Sequence, residues 1–165
     1  MKYIHGFLTS RLREEKISHD ESLVIRYILN FINSIRITMK DFDYLRKQML
    51  FHRIVEWEDN RIVLDNGMEL RIEETEQDCC AGASGQFEDV VLDAAITHIS
   101  DIEYEPWEDG DTYGCCATVT IMHNRNLICK ASGYADAGNG GYYYSIASFV
   151  VRPAQGQSYN VHFVG

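Results

Sequence analysis

The sequence predicts an α+β protein, with an N-terminal helical hairpin followed by a mainly antiparallel β-sheet domain. Three observations carry that expectation. Apolar residues before His52 repeat at helical spacing. Those after it alternate, or fall in short runs bounded by Asn-Gly and Gly-rich turns. The charge changes close to the same place. Residues 1–55 hold ten Lys/Arg and six Asp/Glu, a balance of +4, whereas residues 56–165 hold five and nineteen, a balance of -14. Two regions are therefore expected, a helical one over 1–52 and an acidic, β-rich one over 53–165.

The first helix is expected from Ser18, where Ser18-His19-Asp20-Glu21 fits a capping box with reciprocal bonds between Ser18 and Glu21. Val24, Ile28, Phe31 and Ile35 then follow at 3.6-residue spacing. Thr38 reads as a second N-cap, with Asp41 placed to favour the helix dipole. Phe42, Leu45 and Met49 form the apolar stripe of the helix after it. A short link between two such helices predicts an antiparallel pair.

Past His52 the period becomes two. Residues 53–57, 61–64 and 68–73 read as a three-stranded meander, its second turn marked by Asn66-Gly67, where both residue types tolerate positive φ. Further strands are expected at 95–105, 116–123, 126–132, 142–152 and 158–164, with a hairpin turn around Asn124 and a flexible turn at Gly138-Asn139-Gly140-Gly141. That glycine run is not a phosphate loop, because no Lys-Ser/Thr and no helix follow it.

Composition narrows the function classes. The chain has 165 residues, 45% of them hydrophobic, and a formal net charge of -10. That size supports one ordinary domain with a core. The acidic remainder repels phosphate backbones and anionic lipid and attracts cations and basic protein surfaces. No segment has the length and apolarity of a signal peptide or a membrane span. A reducing cytosol is the expected compartment, where thiols serve metals or stay free more often than they form disulfides.

Two cysteine doublets stand out, Asp78-Cys79-Cys80 and Gly114-Cys115-Cys116. Thiolates suit a structural zinc with four protein donors. The candidate metal ligands are Cys79, Cys80, Cys115, Cys116, Asp78 and His123. Neighbouring residues on a strand point to opposite faces. Both members of a doublet reach one ion only in a turn or bulge. Otherwise one thiolate comes from each doublet, completed by Asp78, His98 or His123. Two other readings stay open: small buried hydrophobes, including Cys129, and a disulfide between the doublets.

The run from Asp101 to Asp111 is the second candidate site. Asp101, Glu103 and Glu105 share one strand face, with Trp107, Glu108, Asp109 and Asp111 beyond them. Such a ridge suits a basic protein groove, or simply keeps an edge strand soluble. Asp109-Gly110-Asp111 lacks the further ligands of a calcium loop. No nucleophile–base pairing is marked by spacing, so no enzyme is expected.

Over residues 53–151 the sequence resembles a family of small proteins carried by phages and other mobile elements. The residues that carry this are Arg61 to Gly67, Glu76-Gln77-Asp78-Cys79-Cys80, Ala95-Ile96-Thr97 and Gly138-Asn139-Gly140-Gly141-Tyr142-Tyr143. Most members of that family have no assigned function. A basic helical segment joined to an acidic β segment is also similar in character to type II anti-CRISPR proteins, which bind Cas9. The resemblance implies a protein that engages Cas9, or another basic nucleic-acid-binding host protein, and blocks its DNA channel. Its alternatives are a small zinc-dependent enzyme and a phage structural or regulatory binding protein.

Overall fold

The computed structural model describes residues 42–165, and Tyr44–Gly165 form one compact unit. The expected helix from Ser18 to Ile35 and the Thr38 cap lie outside the described residues. Within them, the Phe42, Leu45 and Met49 stripe does form a short helix, α1, over 42–49, with all three side chains buried. The helix stops because Phe51 takes a left-handed backbone at φ 70 and sends its N–H to the Ile96 carbonyl at 2.7 Å. From there the chain enters sheet.

Ten strands follow. The first sheet contains β1 (Ile54–Glu58), β2 (Arg61–Leu64), β3 (Glu69–Gln77), β9 (Ser145–Arg152) and β10 (Tyr159–Val164), in the order β1-β2-β3-β9-β10. The second contains β4 (Ala83–Glu88), β5 (His98–Ile99), β6 (Glu103–Asp109), β7 (Thr112–His123) and β8 (Asn126–Asp136). Its order is β4-β8-β7-β5, with β6 also paired to β7. Every strand pairing is antiparallel.

The α+β expectation is corrected by this arrangement. The described residues are all-β in class, two antiparallel sheets with one short helix, and no helical hairpin occurs among them. The reason is where the apolar surface goes. Ile62, Leu70, Ile72, Phe149, Val151 and Phe163 of the first sheet are buried, as are Phe87, Ala117, Val119, Ile121 and Ala131 of the second. A sheet with one apolar face needs another layer, and here the other sheet supplies it. Phe149 and Phe163 stack at 4.3 Å in this core.

Gly85 and Gly133 allow the sheets to close. A Cβ on Gly85 would lie 2.2 Å from Ile72 Cγ2, and one on Gly133 would lie 2.7 Å from the Phe163 ring. Strand β4, which the alternation pattern missed, is placed by this contact and by full pairing with β8. Among the described residues, no helix is long and apolar enough to cross a membrane.

Candidate functional site

The expected acidic ridge becomes strand β6. It lies at the edge of the second sheet, its residues running from Glu103 opposite Thr118 to Asp109 opposite Thr112. Pro106 sits in this strand, consistent with an edge position, because proline cannot donate to a second ladder. Glu103, Glu105, Glu108, Asp109 and the following Asp111 are all exposed. Among the described residues none of these five carboxylates has an ion-pair partner. Asp101 differs from them. It precedes the strand, and Arg46 of α1 holds it, Nη1 to Oδ1, at 2.7 Å. Its charge is therefore partly neutralised.

Three arginines of the unit are drawn to the first sheet. Glu69 on the first sheet accepts from Arg61 at 2.9 Å, Arg71 at 2.7 Å and Arg152 at 3.1 Å. The hydrogen bonds from Arg71 and Arg61 hold its carboxyl down, from 4.5 to about 2. Lys130 pairs with Glu88 at 3.5 Å. So the first sheet carries a neutralised network, while the β6 edge keeps its charge.

Strand pairing assigns the faces. Glu103, Glu105 and Trp107 lie opposite Thr118, Cys116 and Gly114, on the outer side of the second sheet. Across β7, Cys116 and Thr118 lie opposite Tyr134 and Ser132 of β8. These in turn face Ser84 and Gln86 of β4. The result is a polar groove of about 520 Å³ on the outer face, walled on one side by Glu105 and on another by Tyr134 and Lys130. Trp107 stacks on Tyr134 with ring centroids 5.5 Å apart and planes 13° from parallel. Gly114 makes room for the indole, since a Cβ there would lie 2.4 Å from the ring. The Trp107 Nε1 is buried with no hydrogen-bond partner among the described residues.

The expected metal ligands do not converge. Cys115 and Cys116 are in the straight part of β7, so they face opposite sides, Cys115 into the end of the sandwich and Cys116 into the outer groove. His123 lies seven residues beyond Cys116, roughly 23 Å along a strand. Its Nδ1–H donates to the Ala95 carbonyl at 2.7 Å, and its Nε2 accepts from Asn124 at 3.1 Å. His123 lies far along β7 from both cysteine doublets. Among the described residues, no three or more His, Cys, Asp or Glu side chains are grouped to hold a metal ion. None of the five cysteines forms a disulfide.

What the fold does bring together is the Gln77-Asp78-Cys79-Cys80 turn and the glycine run, about 60 residues apart in sequence. Asp78 N–H bonds the Tyr144 carbonyl at 2.9 Å. Asn139 N–H donates to Cys80 Sγ at 3.3 Å. Gly138, at φ 64, is required because a Cβ there would lie 2.9 Å from both Cys80 Sγ and Ala81 N. Tyr143 lies beside Cys79, and that neighbour is the chief cause of a phenol pKa raised above its ordinary value. Tyr143 and Cys115 line a pocket of about 250 Å³ at this end of the sandwich. Cys79 and Cys80 thus sit in the turn against the glycine run, Cys115 lines the end pocket, Cys116 faces outward, and Cys129 is buried with its thiol pushed up to about 12 by desolvation.

Sequence reasoning missed the groove. Its floor comes from β4, β7 and β8, and Ser84, Cys116, Thr118 and Ser132 are individually unremarkable. The Trp107–Tyr134 pair joins residues that no local spacing connects. No curated protein and no solved structure matches the chain. A family model described as a domain of unknown function, DUF7448, matches residues 47–150, from the end of α1 into β9, and the chain belongs to that family.

Proposed function

We propose that this is a non-enzymatic binding protein whose β6 edge docks on a basic surface of a nucleic-acid-binding protein. The partner to be tested first is Cas9 in a bacterial host, with the phage-borne protein acting as an anti-CRISPR inhibitor of target-DNA binding. One observation carries the proposal: five exposed carboxylates, Glu103, Glu105, Glu108, Asp109 and Asp111, share one edge and have no ion-pair partner among the described residues. Unscreened charge of one sign steers a complementary surface and raises the encounter rate. It equally disfavours direct contact with nucleic acid or anionic lipid. The choice of Cas9 rests on the likeness in character to type II anti-CRISPR proteins.

The test is co-purification with guide-loaded Cas9 at low and high salt, followed by a target-DNA binding assay. A complex that weakens with salt and excludes DNA is expected. Reversing Glu103, Glu105, Glu108 and Asp109 to Lys should abolish it. Asp101→Lys should matter less, because Arg46 already occupies that carboxylate. No complex at low salt refutes Cas9 as the partner. A variant that binds as before but aggregates assigns the ridge to edge protection instead.

A further inference from the structure

We infer that the outer groove of the second sheet receives an arginine side chain of the protein partner. This deepens the docking proposal and rests on it. The groove opens beside the β6 edge, and Glu105 belongs to both. An approaching basic surface therefore meets the ridge and the groove together.

The groove's chemistry selects among cations. The Glu105 carboxylate has no ion-pair partner among the described residues and accepts two parallel N–H bonds, the geometry that a guanidinium presents. Trp107 takes one face of Tyr134, and Tyr134, a residue 37% exposed, also lines the groove. A planar guanidinium stacks on an aromatic ring, whereas an ammonium is a compact, strongly hydrated point charge. The Ser84 and Thr118 hydroxyls, without hydrogen bonds among the described residues, supply further acceptors on the floor. Lys130 is the one cation on the lining, and Glu88 neutralises it at 3.5 Å. An anionic occupant would face the unpaired Glu105 with no free cation to meet it. The volume of about 520 Å³ admits a long side chain together with the backbone that carries it.

The experiment titrates the full chain with short oligoarginine and oligolysine peptides of equal length, by calorimetry. The wild-type protein should bind oligoarginine several-fold more tightly than oligolysine. Glu105→Gln should weaken oligoarginine by roughly tenfold and erase the preference. Tyr134→Phe keeps the ring and should leave the preference intact, whereas Tyr134→Leu should reduce it, with circular dichroism confirming that each variant is folded. Equal affinity for the two peptides, or a neutral Glu105→Gln, overturns the inference. Guide-loaded Cas9 forms a second arm. If Cas9 fails to bind while the peptides behave as expected, the groove stands and the partner identity falls. If Cas9 binds and Glu105→Gln changes neither titration, the groove assignment falls and the acidic edge stands.

Discussion

Replacing Glu69 with glutamine should destabilise the protein in a pH-dependent way. Its carboxylate accepts from Arg61, Arg71 and Arg152 at 2.7–3.1 Å, and its side chain is 19% exposed. The native pKa is lowered from 4.5 to about 2. At about 1.4 kcal/mol per pH unit, that shift corresponds to an upper bound near 3.5 kcal/mol. Water reaches the network, and a glutamine oxygen still accepts one bond, so about 2 kcal/mol is expected. The sign follows from a depressed native pKa. The stabilisation is fully present above the unfolded value of 4.5 and is lost as pH falls through about 2. Urea unfolding of both proteins measures this. The difference should be about 2 kcal/mol near neutral pH and should shrink steadily below about pH 4. A difference that stays constant down to roughly pH 2.5, or one below about 0.5 kcal/mol at neutral pH, refutes the charge network as its source.

Gly85→Ala should destabilise by about 1–3 kcal/mol in the same assay, because the new methyl meets Ile72 at 2.2 Å and the Ser132 carbonyl at 2.8 Å between the sheets; a neutral effect would mean that the sheets are less tightly packed. Phe149→Ala should cost about 3–5 kcal/mol through the cavity left beside Phe163. Thiol titration with a disulfide reagent should label the exposed Cys79 and Cys80 first, whereas Cys129, fully buried and with its thiol pushed up to about 12, should react only on unfolding. Early labelling of Cys129 in the folded protein would contradict the placement of β8.

Local pattern was legible where local chemistry decides. The alternation in residues 61–73 becomes β2 and β3, with Gly67 at φ 80 in the turn between them. Asn124, at φ 56, turns the chain from β7 to β8, as an asparagine can. The carboxylates Glu103 and Glu105 share a strand face because side chains alternate, whatever the strand packs against. The same rule, applied to Cys115 and Cys116 once β7 is seen to run straight through them, splits the doublet between two faces.

Contacts between distant segments were decided only by the tertiary structure. Helical spacing in 42–49 is real, yet one short helix does not set the class, because most of the buried apolar surface lies between two sheets. Small residues at Ala83, Ser84 and Gly85 weaken the signal of β4, and its pairing with β8 and close approach to Ile72 supply what propensity lacks. The Cys79-Cys80 turn meets Gly138 and Tyr143 through the pairing of β3 with β9. Asp101 looks in sequence like its acidic neighbours, and only the position of Arg46 sets it apart. The sequence by itself determined strand periodicity, turn chemistry and the acidic excess after residue 55, since each depends on neighbours within a few residues. Which charges stay unpaired, and which polar side chains share the outer groove, depends on strand register across the second sheet. Register is settled by burial of whole faces and not by any single residue.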